Sequence, residues 1–412
     1  MRSGLEELKQ RGFVQQCSDW ETLSTLMSEK PIPFYVGFDP TGESLHVGHL
    51  VPVFAMAHLA RAGHKPIALI GGGTARIGDP SGKTEMRRML SVEQIERNAG
   101  KIRAQLEGFL ERQGLTAEFV DNADWLVDLN YIEFLRDIGR HFSVNRMLSF
   151  ETYRQRLETG LSFIEFNYQL LQSYDYLLLH RKVGCMLQVG GDDQWGNIVS
   201  GIDLIRRVTS REAYALTFPL VTRADGKKMG KTEQGAVYLD PQVYSPYNFF
   251  QYFRNVPDAD VERFLGLYTF LPIEEVRRLG QLPDAEINQA KEILAFELTK
   301  AVHGEAEAER VRDAARKAFG GGGDAGDIDG IPSLEIDRNE LEQGIDVVEL
   351  FSRTNLCSSR SEARRLVTQG GARINETKVD TTEAKIDGSW VVNGSLMLRA
   401  GKKRYFRIRM RD

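Results

Sequence analysis

Short apolar runs alternate with amphipathic helical stretches in the first half of the chain. Four of these runs are Pro33–Phe38, Ile67–Gly73, Cys185–Gly191 and Tyr214–Pro219. They are apolar on both faces and are separated by helical patterns, which is typical of strands buried in a parallel sheet. The pattern therefore predicts an α/β fold for this part of the chain.

The pattern becomes helical between Ser245 and Phe319. Apolar positions recur at helical spacing in Val261–Tyr268 and in Glu286–Leu298. Gly320–Gly330 follows, with six glycines and three aspartates that offer no apolar face to bury. This composition favours a flexible linker. We therefore predict a helical domain that is separated from the C-terminal part by a linker.

The C-terminal part combines two short helices with short strands. Val347–Phe351 and Ser361–Val367 have helical spacing, and Ser361 is a candidate N-cap. Ala372–Asn375 and Trp390–Val392 are predicted as strands. The pattern thus predicts a small α+β domain.

Charge is unevenly distributed along the 412 residues, whose net charge is −5. Residues 345–412 contain 14 Lys/Arg and 8 Asp/Glu, a net +6, which leaves 39 against 50, a net −11, for residues 1–344. A basic appendage on an acidic chain is typical of polyanion binding, although a solvated basic tail has the same composition.

The cysteines and the absence of long apolar runs limit the class of protein. Cys17, Cys185 and Cys357 lie far apart without Cys-x-x-Cys spacing, which argues against a disulfide framework and a structural zinc site. The N-terminal stretch has no apolar signal-peptide core, and no apolar run approaches the roughly 18 residues of a membrane span. We expect a cytoplasmic protein with no membrane partner.

The first chemical motif is a His-x-x-His that follows the first predicted strand. A loop rich in proline and glycine leads to a helix predicted to start near Ser44, which places His46 and His49 on one face of its first turns. A helix N-terminus suits phosphate oxygens, and Gly48 would let a ligand approach the backbone. Two ordinary surface or core histidines remain the alternative for this motif alone.

The second motif is a lysine-rich loop at 223–235. Asp225–Gly226 is a turn signal, and Lys228, Lys231 and Thr232 bring ammonium groups and a hydroxyl close together. Such groups fit a triphosphate whose charge must be held while pyrophosphate leaves. Alone, such a loop is more commonly a solvated surface.

Two further sets of polar residues border predicted apolar elements. Tyr168, Gln172 and Asp175 are spaced on one face of a leucine-rich helix, where they must meet either polar protein groups or a polar ligand. Gly190–Asn197 follows a strand, so it is expected at the carboxyl edge of the sheet, where nucleotides bind.

The motifs together resemble those of one enzyme family. His46–His49 is similar to the HIGH signature of class I aminoacyl-tRNA synthetases, and Lys228–Thr232 is similar to their KMSKS signature. More closely, the chain resembles the bacterial-type tyrosyl-tRNA synthetases over nearly its whole length. The strings that carry this resemblance are YVGFDPTGESLHVGHL, GGGTARIGDPSGK, NYQLLQSYDYLLL, LQVGGDDQWGN and KKMGKT.

The resemblance implies a fold, a reaction and partners. It implies a Rossmann-like catalytic domain at 1–235, with a dimer-contact insertion near 122–160, and a helical anticodon-binding domain at 236–319. A linker at 320–344 and an RNA-binding domain of ribosomal small-subunit-protein type at 345–412 complete the chain. The implied reaction forms tyrosyl-adenylate from L-tyrosine and ATP, with Mg²⁺, and then charges tRNA(Tyr). A homodimer is expected.

The resemblance also implies site residues. The tyrosine site would comprise Tyr35, Asp79, Tyr168, Gln172, Asp175 and Gln188. The catalytic residues would be Thr41, His46, His49, Lys228, Lys231 and Thr232, and the ATP site would add Gly37, Asp39, Gly191, Asp193, Gln194 and Met229. Lys83 and Arg87 would reach the pyrophosphate or the tRNA end. No metal-binding residues are expected, because ATP itself would carry the Mg²⁺.

Some positions depart from the family pattern, and other functions remain open. Asp192 stands where serine is usual and would add negative charge near the ribose, while Val36, Pro52 and Met229 are milder changes. A tryptophan enzyme, an inactive RNA-binding relative and a small nucleotidyltransferase are the alternatives.

Overall fold

The computed structural model describes residues 4–81, 89–224, 229–232, 235–319, 331–354, 356–375, 377–392, 394–401 and 404–411. The chain divides into two compact units. The first comprises residues 1–230, 238–240 and 256–290, and the second comprises 231–237, 241–255 and 291–412. Within the described ranges, none of the helices combines the length and apolar character that a membrane crossing requires.

The helices and strands of the described residues follow in chain order. The helices are α1 (Gly4–Gln10), α2 (Trp20–Glu29), α3 (Leu50–Arg61), α4 (Val92–Arg112), α5 (Ala123–Leu126), α6 (Tyr131–Asp137), α7 (Val144–Ser149), α8 (Glu151–Thr159), α9 (Phe163–Val183), α10 (Trp195–Thr209), α11 (Pro246–Arg254), α12 (Val261–Tyr268), α13 (Ile273–Gly280), α14 (Ile287–His303), α15 (Glu305–Phe319), α16 (Arg338–Glu342), α17 (Val347–Arg353) and α18 (Arg360–Thr368). The strands are β1 (Gln16–Cys17), β2 (Pro33–Phe38), β3 (Lys65–Ile70), β4 (Glu118–Asp121), β5 (Leu187–Gly191), β6 (Tyr214–Phe218), β7 (Lys231–Thr232), β8 (Gly235–Ala236), β9 (Ser333–Asp337), β10 (Ile345–Asp346), β11 (Ala372–Ile374), β12 (Thr377–Lys378), β13 (Lys385–Ile386), β14 (Ser395–Ala400) and β15 (Arg404–Arg411).

The first unit is built on a six-stranded sheet in the order β1-β6-β5-β2-β3-β4. The five strands from β6 to β4 are parallel, and β1 pairs antiparallel with β6 at the edge. The four apolar runs correspond to β2, β3, β5 and β6, which confirms the predicted α/β class. The sequence did not predict β1, which has two residues, or β4, which has no fully buried residue.

Local sequence explains where the long helix α9 begins and ends. Ser162 and Glu165 form a capping box at its start, with the Ser162 side chain accepting from the Glu165 backbone N–H. Gly184 closes the helix with φ 68°, a left-handed conformation that favours glycine. The helix thereby carries Tyr168, Gln172 and Asp175 along one side.

The helix predicted to start near Ser44 begins later. Val47–His49 forms a 3₁₀ turn with His46 as its N-cap, and the α-helix proper begins at Leu50. The prediction was wrong because the Ser44 hydroxyl donates to the Leu45 carbonyl instead of capping a helix. His46 therefore precedes the first helical turn.

The helical segment predicted from Ser245 to Phe319 contains α11 to α15, as expected. Ser245 caps α11 by accepting from the Asn248 backbone N–H, and Pro246 occupies the first helical position. The two compact units share this segment: α12 and α13 belong to the first, whereas α11, most of α14 and α15 belong to the second.

The C-terminal part of the second unit contains a five-stranded sheet in the order β12-β11-β14-β15-β9. Its apolar side chains form a core that includes Val347, Phe351 and Ile408. Residues 320–330 of the predicted linker lie outside the described residues, and the rest of that segment contains β9 and α16. The buried side chains of Ile336 and Leu341 explain this regular structure.

Two local predictions in this part were wrong. Ser359 caps α18 by accepting from the Glu362 backbone N–H, so Ser361 lies inside the helix. Trp390 ends a 3₁₀ turn capped by Asp387, and Val392 forms only an isolated bridge with Ser395. Trp390 and Val391 therefore pack on the core without forming a strand, whereas Val392 is exposed.

Candidate functional site

A cavity of about 560 Å³ opens in the first unit at the carboxyl ends of β2, β5 and β6. The chain passes from β2 to β3 on one side and later to β5 on the other, so the cavity lies at the topological switch point of the sheet. The predicted site residues that line it are Tyr35, Gly37, Asp39, Thr41, His46, His49, Asp79, Tyr168, Gln172, Asp175, Gln188, Gly191, Asp193, Gln194 and Met229.

The remaining predicted residues cannot be located in this cavity. Lys83, Arg87 and Lys228 lie outside the described residues. The backbones of Lys231 and Thr232 form β7, and the structure does not describe their side chains.

Two buried polar side chains lie on neighbouring strands of this cavity. Tyr35 on β2 is the cross-strand partner of Gln188 on β5, and their side chains are 1% and 3% exposed. The Tyr35 hydroxyl and the Gln188 Oε1 have no hydrogen-bonding partner among the described residues. An unpaired buried polar atom costs about 1–3 kcal/mol, so this end of the cavity fits a polar ligand group.

Asp175 stands buried beside these residues and is held from two sides. The Asn122 Nδ2 donates to its Oδ2 at 2.9 Å, and the Trp125 Nε1 donates to its Oδ1 at 2.7 Å. Burial, with repulsion from Asp39 and Asp121, raises the pKa of Asp175 to about 7, although the two hydrogen bonds oppose this shift. Burial and the Asp175 charge also raise the pKa of Tyr35.

Asn122 and Trp125 are functional candidates that the sequence reasoning missed. Both lie in the segment assigned to a dimer contact, yet both hydrogen-bond to the candidate site. Asn122 is fully buried, donates to the Thr74 hydroxyl and accepts from the Gly73 backbone N–H. Its position directly after β4, at the carboxyl edge of the sheet, was the available signal, but β4 had not been recognised.

A chain of amide hydrogen bonds connects the residues expected to hold an ammonium group. The Gln194 Nε2 donates to the Asp79 Oδ2 at 2.7 Å. The Asn197 Nδ2 donates to the Gln172 Oε1 at 3.1 Å and to the Gln194 Oε1 at 3.2 Å. These bonds fix the orientations of Asp79 and Gln172 and connect them to the turn that follows β5.

Asp39 is the hub of a second network at the end of β2. The Tyr168 hydroxyl donates to its Oδ2 at 2.9 Å, and the Thr74 hydroxyl donates to its Oδ1 at 2.8 Å. A Cβ on Gly71 would lie 2.0 Å from the Asp39 Oδ1, so only glycine allows this approach. Because the Tyr168 proton is committed to Asp39, the Tyr168 oxygen can accept a hydrogen bond from a ligand.

The two histidines are tied to the backbone of their own turn. The Gly48 N–H donates to the His46 Nδ1 at 3.0 Å, and the His46 N–H donates to the His49 Nδ1 at 3.1 Å. A Cβ on Gly48 would lie 2.7 Å from the His46 Cε1, so glycine is needed here by the imidazole itself. The His46 imidazole therefore explains the glycine at position 48 without the predicted approach of a ligand to the backbone.

The described end of the lysine loop adjoins this turn. Met229 lines the cavity, and Gly230 has φ 76°. A Cβ on Gly230 would lie 2.3 Å from the Val47 Cγ2, so glycine is required by both backbone conformation and space.

Asp192 was predicted to add negative charge near the ribose, but its side chain does not line the cavity. Gly191 and Asp193 line the cavity, whereas Asp192 lies outside its lining in the part of the chain that the structure describes. The Asp192 Oδ1 accepts hydrogen bonds from Gln16 and Thr217 instead.

One further segment lines the cavity, and the described residues include no metal-binding cluster. The segment 219–222 after β6 lines the cavity and was not predicted. Among the described residues, no group of three or more His, Cys, Asp or Glu side chains is arranged to hold a metal ion.

Comparison with known proteins shows what this chain is similar to. Residues 27–320 match the family model described as tRNA synthetases class I (W and Y), and residues 325–408 match the tyrosine–tRNA ligase SYY-like C-terminal domain. The tyrosine–tRNA ligase of Treponema denticola is 56% identical, with 99% of each chain covered. That of Caldanaerobacter subterraneus subsp. tengcongensis is 50% identical, with 100% of each chain covered.

A solved structure shares the fold. A C-terminally truncated mitochondrial tyrosyl-tRNA synthetase from Aspergillus nidulans superimposes with a TM-score of 0.70 at 30% identity, covering 77% of this chain and 95% of that chain.

Proposed function

Because the chain belongs to the class I tRNA synthetase family of the tryptophan and tyrosine enzymes, we propose that it is a tyrosine–tRNA ligase. It would activate L-tyrosine with ATP and transfer the tyrosyl group to the 3′-terminal ribose of tRNA(Tyr). The observation that carries the choice of amino acid is the buried Tyr35 hydroxyl beside the Asp175 carboxylate at one end of the cavity.

A phenol matches these two groups better than the other candidate side chains. Its hydroxyl can donate to the Asp175 carboxylate and accept from the Tyr35 hydroxyl. An indole N–H can donate but cannot accept, and a phenyl ring can do neither. Phenylalanine would therefore leave the Tyr35 hydroxyl buried without a partner and give the Asp175 carboxylate no donor beyond Asn122 and Trp125, which disfavours its binding.

The opposite side of the amino-acid site would hold the ammonium group. Asp79 supplies a carboxylate that Gln194 orients, and Gln172 supplies an amide that Asn197 orients. The Tyr168 oxygen accepts because its proton is directed to Asp39. These contacts would fix the tyrosine carboxylate in the direction of the nucleotide, so that positioning lowers the barrier.

The first reaction step needs no protein nucleophile. A carboxylate oxygen of tyrosine attacks the α-phosphorus of ATP, the bond to the bridging oxygen breaks, and pyrophosphate leaves. Thr41, His46, Lys228, Lys231 and Thr232 would stabilise the phosphate charge, and His49 would support the turn or meet the ribose. Gly37, Gly191 and Asp193 would accommodate the nucleoside, with Asp193 accepting from a ribose hydroxyl.

The second step charges the tRNA. A terminal ribose hydroxyl attacks the acyl carbon of the adenylate, AMP leaves with the electron pair of the broken bond, and the hydroxyl proton passes to the leaving phosphate or to water. Mg²⁺ would enter bound to the ATP phosphates, which is compatible with hard-cation chemistry. Lys83 and Arg87 would contact pyrophosphate or the tRNA end. The enzyme would act in the cytoplasm.

A homodimer is proposed from the surface of the segment 122–160. Its exposed large apolar side chains, among the described residues, are Val127, Tyr131, Ile132, Leu135, Val144 and Leu157. Several large apolar side chains exposed in one segment favour a protein interface. Analytical ultracentrifugation of the wild type and an Ile132→Asp variant tests this proposal: the wild type should sediment as a dimer and the variant as a monomer.

Tyrosine-dependent ATP–pyrophosphate exchange tests the enzymatic proposal. The purified full-length protein is assayed in parallel with tyrosine, tryptophan and phenylalanine, and then for charging of tRNA(Tyr). Exchange with tyrosine alone supports the proposal. Preferential exchange with tryptophan, or no exchange with any of the three, would overturn it.

A further inference from the structure

The Asp192 carboxylate connects the turn after β5 to the edge of the sheet. The Gln16 Nε2 donates to its Oδ1 at 2.6 Å, and the Thr217 hydroxyl donates to the same oxygen at 2.8 Å. Gln16 and Thr217 are cross-strand partners in the β1–β6 pair, so both side chains approach from the same place. One carboxylate oxygen therefore joins β1, β6 and the turn after β5.

The two donors are themselves held firmly. Thr217 is fully buried and pairs with Gly190 in the β5–β6 register. On the other side, the Gln15 N–H donates to the Thr217 carbonyl at 2.8 Å, which holds β1 against β6. The donors are thus part of the sheet, whereas Asp192 belongs to the turn that leaves it.

We propose that Asp192 is a positioning residue that sets the place of Asp193 at the nucleotide end of the cavity. This inference rests on the proposed function, in which Asp193 accepts from the ribose of ATP. Asp192 and Asp193 are consecutive in the 3₁₀ turn Asp192–Gln194 that precedes α10, so a displacement of one backbone displaces the other. Both donors are neutral, and an amide oxygen in the same place could also accept hydrogen bonds from them.

The structure of this turn predicts that removal of the Asp192 side chain weakens ATP binding more than tyrosine binding. Gln194, the third residue of the turn, has hydrogen bonds of its own to Asp79 and Asn197. It should stay in place when Asp192 is removed, and tyrosine binding should then change little. Loss of the Asp192 tether should therefore raise the KM for ATP while leaving the Kd for tyrosine nearly unchanged.

Two sets of variants distinguish the effect of the Asp192 hydrogen bonds, which tether the turn to the sheet, from the effect of its negative charge. Asp192→Ala removes the carboxylate, and Gln16→Ala with Thr217→Val removes both donors while retaining the negative charge. Asp192→Asn keeps an Oδ1 acceptor and removes the charge. Glu111→Ala, which removes an exposed acid on α4, is the matched charge control. Pyrophosphate exchange gives kcat and KM for ATP, equilibrium dialysis gives the Kd for tyrosine, and thermal melting verifies folding.

The expected pattern follows from small displacements of a positioned group. Asp192→Ala and the Gln16→Ala/Thr217→Val pair should each lower kcat/KM for ATP by roughly tenfold or more. Combining all three substitutions should add little, as for members of one network. Asp192→Ala should also add little to Asp193→Ala. Asp192→Asn and Glu111→Ala should stay within about twofold of the wild type.

Several results would overturn the inference while the proposed function stands. Equal losses in Asp192→Asn and Asp192→Ala would show that the charge acts directly. Wild-type kinetics in the donor-deleted pair, or an equal loss of tyrosine affinity, would exclude the tether. If Asp192→Ala does not fold, the Gln16→Ala/Thr217→Val pair and Asp192→Asn still test whether the hydrogen bonds position Asp193. Absence of exchange in the wild type would instead refute the proposed function.

Discussion

Replacing Tyr35 with phenylalanine is expected to change stability and tyrosine affinity in opposite directions. The Tyr35 side chain is 1% exposed, and its hydroxyl has no hydrogen-bonding partner among the described residues. Removing this oxygen abolishes the cost of burying an unpaired polar atom. The same change removes a donor that the proposed function assigns to the substrate phenol.

The magnitude of both effects follows from the hydroxyl alone. An unpaired buried hydroxyl costs about 1–3 kcal/mol, and the small void left by its removal offsets part of the gain. We expect the free energy of unfolding of the ligand-free protein to rise by about 1 kcal/mol. Loss of one neutral hydrogen bond should weaken tyrosine binding by about 1 kcal/mol, which is roughly fivefold in Kd.

Tyr176→Phe is the matched control. The Tyr176 ring lies 5.3 Å from the Tyr35 ring between centroids and is fully buried. Its hydroxyl, however, donates to the Tyr214 carbonyl at 2.8 Å. The control should therefore lose about 1 kcal/mol of unfolding free energy and keep its tyrosine affinity.

Urea denaturation and equilibrium dialysis provide the two measurements. The reasoning predicts opposite signs of the stability change in the two variants and a loss of tyrosine affinity in Tyr35→Phe alone. A destabilised Tyr35→Phe protein with unchanged tyrosine affinity would refute it, because the hydroxyl would then have an internal partner and no ligand role.

Three further predictions concern other parts of the molecule. Burial raises the folded-state pKa of Asp175 to about 7, so its contribution to stability is fully present below its unfolded pKa and is lost as pH rises through 7. Relative to Asp175→Asn, the wild type should therefore lose roughly 3 kcal/mol of unfolding free energy between pH 5 and pH 8. Parallel pH profiles of the two proteins in urea denaturation would contradict this prediction. His46→Ala and Lys231→Ala should each slow single-turnover adenylate formation by very roughly 3 kcal/mol with little change in tyrosine binding, and an unchanged rate would refute their assignment. Arg364 and Arg365 are exposed on α18. Replacing both with serine should raise the KM for tRNA and reduce the salt dependence of this KM, while pyrophosphate exchange stays unchanged. Unaltered charging kinetics would contradict an RNA-binding role of this surface.

Periodicity predicted the elements whose burial is uniform. The four strands buried on both faces have continuous apolar runs, and the edge they share could be inferred from the parallel arrangement. In contrast, β1 is only two residues long, and β4 has partly exposed side chains that give little signal. Missing β4 also concealed Asn122, because its place at the carboxyl edge depends on that strand.

Other features of the site depend on contacts between distant residues. The sequence placed Asp192 beside Asp193 but could not show that its carboxylate turns toward Gln16, 176 residues away along the chain. The sequence analysis explained Gly48 by ligand approach, whereas the imidazole of His46, two residues earlier, occupies the space that a Cβ would need. The first contact arises from tertiary packing and the second from a side-chain orientation within one turn, and local pattern encodes neither.

The backbone hydrogen bonds of His46 and His49 fix the tautomer of both rings. Because each Nδ1 accepts a backbone N–H, the single proton of each neutral imidazole resides on Nε2, which is thereby a donor. Each ring therefore keeps its Nε2–H free of the backbone bonds that hold the turn before α3. The turn thus presents hydrogen-bond donors of fixed direction, which suits the phosphate contact that the proposed function assigns to His46.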